Sequence, residues 1–182
     1  LATMVRTLHG HQLWQDEREA NIFDGGVPNY RCYRCADGRF VAVGALEPKF
    51  WDVLLRTLGL DPASTPSPYR AERHSELAAT LAAVFATRTR EEWAAIFEPL
   101  DACVAPVLTL AEAPAHPHNA ARSSYVESVG VQVCAPTPRF SGTAAELAAA
   151  PPSLGAHTEE LLAELGYGPD RRAELRARHL IG

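Results

Sequence analysis

A run of turn and strand signals between residues 21 and 50 limits the fold of this chain more than any other stretch. Gly25-Gly26 and Pro28 exclude a continuous helix at its start, because glycine is too flexible and proline lacks an amide hydrogen. Strand-forming residues then occupy 30–35 and 40–43, and the Ala-Asp-Gly-Arg between them suits a hairpin turn that needs a positive φ. The stretch therefore predicts a β-hairpin that follows a tight loop.

Glu47 follows the second predicted strand and directly precedes a helix that begins at Pro48. A carboxylate in this place is stabilised as the anion by the unpaired amides and the dipole of the helix N-terminus. Two interpretations stay open: Glu47 caps the helix, or it acts in or supports acid–base chemistry at a junction of the kind where site residues often lie. Gly44-Ala45 leaves the neighbouring backbone uncrowded, so a ligand could approach.

Apolar periodicity, capping patterns and glycine stops place the remaining elements. The predicted segments are a helix end at 1–9, a helix from Glu47 to Leu58, a helix over 74–87, a short helix after Thr89, a strand at 103–105, about one turn after Thr109, a strand over 129–133, and helices at 158–165 and 171–178. Residues 11–20 are predicted to be a linker or a frayed helix, residues 135–156 a linker, and residues 114–119 a loop; the linker before the hairpin would extend over 11–24 if the helix ends at Gly10. The pattern favours an α+β fold.

The first residues predict that the chain opens inside a helix. Leu1, Met4, Val5 and Leu8 fall at helical spacing, and no capping residue precedes them. We therefore expect these residues to be part of a longer protein.

Composition excludes several classes of function. The 182 residues are 47% hydrophobic and 21% charged, which is a globular composition. A net charge of −5 without a Lys/Arg-rich block argues against nucleic acid or an anionic membrane as a partner. No apolar run approaches the roughly 18 residues of a membrane span. Four cysteines are too few for a disulfide framework, so a cytoplasmic location is expected.

Cysteine and histidine pairs give weak signals for metal or redox chemistry. Cys32 and Cys35 lie within a predicted strand, where residues three apart face opposite sides, and no second ligand pair follows. His9 with His11, and His116 with His118, lack carboxylates or cysteines at ligand spacing, so surface roles are favoured and no metal is expected. Phosphate-binding, dinucleotide and G-x-S-x-G motifs are absent from the sequence. The residues alone therefore indicate an α+β domain with one candidate glutamate.

Three blocks of sequence carry a family likeness. The stretch DGGVPNYRCYRCADGRFVAVGALEPKF resembles the α-methylacyl-CoA racemases of the class III CoA-transferase superfamily. The block DACVAPVL at 101–108 resembles the same family, and HTEELL at 157–162 is similar to the C-terminal helix of the superfamily. The likeness covers nearly the whole chain, and it corresponds to the second half of a family member.

The resemblance implies a particular fold and assembly. The chain would begin with the end of a helix of a large CoA-binding α/β domain and a linker, over residues 1–24. The small α+β domain would follow over residues 25–134. The remaining residues, 135–182, would form a linker and C-terminal helices that return to the large domain. It also implies an interlocked homodimer, in which each chain threads through the other by its two linkers.

The resemblance further implies isomerase activity in fatty acid metabolism: removal and return of the α-proton of an acyl-CoA, with CoA as part of the substrate and no other cofactor. Glu47 matches the family's G-A-x-E-P glutamate and is expected to support a catalytic histidine. The main histidine–aspartate pair would lie outside this chain, so the 182 residues alone are expected to be inactive. Phe23, Tyr30 and Leu46 match positions near the acyl pocket, whose chain preference stays open.

Two alternatives stay open. A class III CoA-transferase would move CoA between carboxylic acids with an aspartate nucleophile outside this chain. The 182 residues could also be a dimerisation domain without activity of its own. Glu47 and the 101–108 block favour the racemase, and the upstream sequence would decide between the two enzymes.

Overall fold

The computed structural model describes residues 2–147 and 151–181. Leu1, which the sequence places in the opening helix, and residues 148–150, which it places in the second linker, lie outside the described residues. The chain divides into two compact units, Leu1–Leu108 and Thr109–Gly182. The boundaries predicted at 24/25 and 134/135 refer to domains of a longer protein and stay predictions.

Helices are combined with antiparallel strands in both units, which is an α+β organisation. The first unit contains α1 (Ala2–Gly10), β1 (Tyr30–Arg34), β2 (Phe40–Gly44), α2 (Pro48–Thr57), a 3-10 helix (Ala71–Arg73), α3 (His74–Phe85), α4 (Arg90–Phe97) and β3 (Val104–Pro106). The second contains a 3-10 helix (Ala113–Ala115), α5 (Pro117–Ala121), β4 (Tyr125–Ser128), β5 (Val131–Cys134), α6 (Thr158–Glu164) and α7 (Pro169–Ala177). None of the described helices is long and apolar enough to cross a membrane.

The first unit is built on a three-stranded antiparallel sheet in the order β1-β2-β3. The predicted hairpin between β1 and β2 is confirmed: Gly38 has φ +77° in its turn, and the Cys35 amide donates to the Arg39 carbonyl at 2.8 Å. Glycine suits this position because a Cβ disfavours a positive φ. The register sets Ala42 of β2 between Cys32 of β1 and Ala105 of β3.

The helices α2, α3 and α4 cover one face of this sheet and form the core. Their buried side chains are Trp51, Leu54, Leu55, Leu77, Leu81, Phe85, Trp93 and Phe97, in one cluster with Tyr33, Val41 and Val43 of the strands. Phe85 is fully buried at the centre, with its ring stacked on Tyr33 at a centroid distance of 5.0 Å. All three core helices therefore pack on the same face of the sheet, and the opposite face is not covered by them.

A hydrogen-bonded loop occupies the predicted linker at 11–24. The side chain of Asn21 accepts from the Gln15 amide at 2.8 Å and donates to the Asp24 carboxylate at 2.6 Å. Gly26 closes the loop so tightly that a Cβ there would lie 2.5 Å from the Asn21 nitrogen. Burial opposes ionisation of Asp24, but hydrogen bonds from Asn21 and Gly26 prevail and lower its pKa. The loop thereby holds residues 23–26 against the sheet.

Two predictions about the second unit are wrong. The segment 114–119 was expected to be a loop, but Pro117 begins α5, and the Asn119 side chain donates to the Ala113 carbonyl at 2.8 Å. The alternating valines predicted a strand over 129–133, yet Val129 lies in a turn with φ +52° and the strand begins at Val131. The partner strand β4 carries no comparable alternation, and pairing with β5 is what extends it.

Both predicted C-terminal helices are present, although α7 begins at Pro169, two residues before its predicted start. The helix α6 begins at Thr158 as predicted, and its N-cap is His157, whose carbonyl accepts the first helical bond from the Leu161 amide at 3.0 Å. Glu159 of α6 pairs with Arg172 of α7 at 3.0 Å. The ion pair joins two short helices that bury few residues.

Candidate active site

The face of the sheet opposite the core helices is lined by small residues. Cys32, Ala42 and Ala105 stand side by side across the three strands, and Gly44 pairs with Tyr30 one step along. Side chains this short leave a depression over the sheet, because there is no bulk to fill it. A groove of about 430 Å³ results, with walls from the loop before β1 and the segment before β3.

Two of the three residues predicted near an acyl pocket meet in this groove. Phe23 and Tyr30 contact each other edge to face, with centroids 5.6 Å apart and rings at 86°. Leu46 is half-buried and does not line the groove; its carbonyl accepts a hydrogen bond from the Tyr69 hydroxyl. The groove thus has an aromatic end, and the role of all three residues in binding stays a prediction.

Glu47 is the N-cap residue of α2, with an extended backbone at φ −78° and ψ 142°. Its carbonyl accepts from the Phe50 and Trp51 amides at 3.1 Å each, which begins the helix. Its carboxylate is exposed and makes no hydrogen bond to the helix amides. Side-chain capping by a hydrogen bond therefore does not account for an acid at this position.

Cys103 lines the groove, and the charge of Glu47 acts on its thiol. The sequence alone indicated no role for this cysteine in the site. It lines the groove with φ +51°, a strained backbone for a residue with a Cβ, and its carbonyl accepts from the Gly44 amide at 2.8 Å. Partial desolvation raises the pKa of the Cys103 thiol, and the negative charges of Asp101 and Glu47 raise it further. The chain links the two residues, because the Gly44 amide that bonds to the Cys103 carbonyl lies three residues before Glu47.

Replacing Glu47 by glutamine should therefore lower the pKa of Cys103. Loss of the negative charge removes a force that opposes the thiolate, so alkylation at a fixed pH below the pKa should become faster. The measurement is the rate of iodoacetamide labelling at Cys103 against pH, followed by peptide mass spectrometry. Asp52→Asn, which removes an exposed carboxylate from the same helix, is the matched control and should leave the profile unchanged. An unaltered profile in Glu47→Gln would contradict the effect of Glu47 on this thiol.

The other candidate groups do not gather into a site. Cys32 is exposed in the groove and Cys35 is buried, which confirms that they face opposite sides, and all four cysteines are free thiols. Within residues 2–147 and 151–181, no three His, Cys, Asp or Glu side chains lie close enough to hold a metal ion. His9 instead pairs with Asp16 at 3.3 Å.

Solved structures define the class of fold. A CAIB/BAIF family protein from Brucella suis matches 90% of this chain and 44% of its own with a TM-score of 0.64 and 20% identity. Rv3272 from Mycobacterium tuberculosis matches 87% of this chain and 42% of its own, with a TM-score of 0.62 and 20% identity. The chain therefore has an α+β fold of the kind these proteins contain.

Sequence relationships then identify the family. The profile of CoA-transferase family III matches residues 1–158, and the chain belongs to that family. It is 41% identical over 174 residues to α-methylacyl-CoA racemase of Mus musculus and 40% identical to that of Homo sapiens, in each case across 93% of this chain. An acyl-CoA transferase of Fusarium pseudograminearum is 30% identical across 85% of this chain. The chain spans 45% of the length of the two racemases.

Proposed function

We propose that the chain is the Glu47-bearing part of an enzyme that epimerises the α-carbon of 2-methylacyl-CoA thioesters. The observation that carries this proposal is the difference in identity, 40–41% to two proteins named α-methylacyl-CoA racemase against 30% to one named acyl-CoA transferase. The resemblance of the Glu47 motif to that of the racemases supports the same choice.

The proposed reaction moves one proton and leaves the thioester intact. A base removes the α-proton, and the electrons of the C–H bond shift onto the carbonyl oxygen to form an enolate. An acid on the opposite face then returns a proton to carbon, while donors near the oxygen stabilise its negative charge. The net result is inversion of the α-carbon, without an oxidant or a second substrate.

Residues of this chain would supply two parts of that site. The groove over the sheet, with Phe23 and Tyr30 at its aromatic end, is lined mostly by apolar residues, as an acyl chain needs, although Asp24 and Arg31 also line it. Glu47 would support the charge and orientation of the catalytic histidine, since a carboxylate stabilises a neighbouring imidazolium. The histidine and its acid–base partner would come from sequence outside these residues, and an interlocked homodimer would bring the parts together.

A class III CoA-transferase is the second candidate, because an acyl-CoA transferase is among the relatives. The two reactions are separated by one experiment on the complete protein. A racemase incubated with 2-methylacyl-CoA in deuterated water exchanges the α-proton and leaves CoA on the same acyl group. A transferase moves CoA to an added carboxylic acid and leaves the α-proton in place. Transfer without α-proton exchange would refute the proposal.

Gly44 allows the groove to be tested without disturbing the fold. A Cβ at Gly44 would lie 3.8 Å from the Cys103 carbonyl oxygen and 3.9 Å from the Tyr30 ring, both ordinary contacts. Gly44→Ala should therefore fold normally but raise KM for acyl-CoA about 10-fold, as one added methyl in a tight apolar site can. Gly142→Ala, where a Cβ meets nothing within 4 Å, is the matched control. Equal KM values in the two variants would argue against binding in this groove.

A further inference from the structure

The segment that joins β2 to α2 must itself aim the Glu47 carboxylate. The side chain makes no hydrogen bond to the helix amides, so the backbone sets the direction of the Cα–Cβ bond from which the carboxylate extends. Local bonds fix the two ends of the segment: the Leu46 amide donates to the Gly44 carbonyl at 2.9 Å, and the Phe50 amide donates to the Glu47 carbonyl at 3.1 Å. The carbonyls of Ala45 and Leu46 lie between these ends, and side chains from two separate loops bond to them.

Asn29 bonds to the first of these carbonyls. Its side chain is 1% exposed, and its Nδ2 donates to the Ala45 carbonyl at 3.1 Å. The preceding residue is also fixed, because the Tyr33 hydroxyl donates to the Pro28 carbonyl. A buried donor on a rigid turn thus ties the start of β1 to a position two residues before Glu47. Breaking it would leave a buried carbonyl without its donor.

Tyr69 bonds to the second carbonyl. Its side chain is 60% exposed, yet its hydroxyl donates to the Leu46 carbonyl, directly before Glu47. The loop that carries Tyr69 is held in place, since the His74 Nε2 lies 2.7 Å from the Pro68 carbonyl oxygen and the Tyr69 amide donates to the Ser67 hydroxyl at 3.3 Å. With so much of the ring in solvent, packing in the core does not explain this tyrosine.

We propose that Asn29 and Tyr69 are positioning residues for Glu47, which clamp two consecutive carbonyls so that the side chain of Glu47 leaves the backbone at a fixed place and in a fixed direction. This inference rests on the proposed function, because it assigns a purpose to the geometry of Glu47. Catalytic groups must be held within a fraction of an ångström of their productive placement. A clamp on the backbone supplies that precision to a side chain that is not held by a bond of its own to the helix.

Tyr69→Phe in the complete protein tests the clamp, because it removes only an exposed hydroxyl. We expect kcat for α-proton exchange to fall about 3- to 10-fold, the effect of one neutral hydrogen bond, with KM unchanged and the melting temperature lowered by no more than about 2–4 °C. Tyr167→Phe removes the hydroxyl of another exposed tyrosine, 40% exposed, and should leave kcat unaltered. Asn29→Asp replaces the buried donor by an acceptor and should lower kcat further; if that variant does not fold, Tyr69→Phe still decides the question.

A double-variant cycle separates positioning from other roles. In a Glu47→Gln background, Tyr69→Phe should cause no further loss of kcat, because the group that it positions is already gone. An equal loss in both backgrounds, or no loss in either, would overturn the inference. A slow Glu47→Gln enzyme combined with an unaffected Tyr69→Phe enzyme refutes the clamp alone. An unaffected Glu47→Gln enzyme refutes the proposed role of Glu47 and the clamp with it.

Discussion

Glu47→Gln is expected to lower the kcat of the complete protein about 10- to 100-fold while KM for acyl-CoA changes little. Glutamine keeps the size of the side chain and its ability to accept a hydrogen bond but loses the negative charge. If that charge stabilises the protonated form of a catalytic histidine, its loss raises the energy of the step in which the imidazolium forms and leaves substrate binding unchanged. Steady-state rates of racemisation, measured for each substrate enantiomer, give both constants.

Because Glu47 is exposed, its replacement should change the charge at this position without changing the fold. The residue is exposed and its side chain does not bond to the helix amides, so the fold should be unaffected. Asp52→Asn in the same helix removes a charge of the same sign and should leave kcat within about twofold, as expected for an exposed surface position. If Glu47→Gln behaves like Asp52→Asn, the carboxylate has no part in the reaction.

Phe85→Ala should destabilise the first unit by about 3–5 kcal/mol, the usual cost of deleting a large buried aromatic side chain. Phe85 is fully buried and contacts Tyr33, Trp93 and Phe97, so its loss opens a cavity between the sheet and two helices. The indole of Trp93 also donates to the Phe85 carbonyl at 2.9 Å, which keeps the surrounding side chains from closing the gap. Urea denaturation monitored by tryptophan fluorescence measures the difference.

Phe140→Ala provides the comparison, because Phe140 is 64% exposed and its removal creates no cavity in the core. We expect a change within about 0.5 kcal/mol for that variant. A similarly small change for Phe85→Ala would mean that the aromatic cluster is not the centre of the core. The loss of Phe85 should also disturb the candidate site, because Tyr33 stacks on Phe85 and belongs to the strand that carries Tyr30.

Local sequence signals were enough to predict the frame of the candidate site. Asp37-Gly38 predicts a hairpin because few residue pairs suit its turn, and the pairing of β1 with β2 confirms it. Proline at position 48 and the apolar spacing after it predict α2, and its structure begins at that residue. Glu47 is therefore placed by features within a few residues of it.

The groove could not be predicted in the same way, because it depends on contacts between distant segments. The short strand β3 pairs with β2, and that pairing brings Cys103 beside Gly44. Nothing in the neighbourhood of Cys103 indicates its positive φ or its thiol's place in the groove. Likewise, a proline-rich loop gives no local sign that Tyr69 will bond to the Leu46 carbonyl.

Propensity failed where tertiary partners decide the structure. Three alternating valines favoured a strand over 129–133, but Val129 turns the chain so that β5 can pair with β4. Proline and histidine at 116–118 favoured a loop, whereas Pro117 fits the first turn of α5, where a missing amide hydrogen costs nothing. In both cases one residue type fits two kinds of local structure: valine occurs in strands and here in a turn, and proline occurs in loops and in the first turn of a helix.

The most direct test of the account is α-proton exchange of 2-methylacyl-CoA in deuterated water, followed by proton NMR. We predict no exchange above the buffer rate with the 182-residue chain alone, and exchange with the complete protein that Glu47→Gln slows. This result would fit a chain that contributes Glu47 and the groove while the acid–base pair comes from other sequence. Exchange by the 182-residue chain that Glu47→Gln abolishes would contradict the account, because the catalytic bases would then lie within these residues.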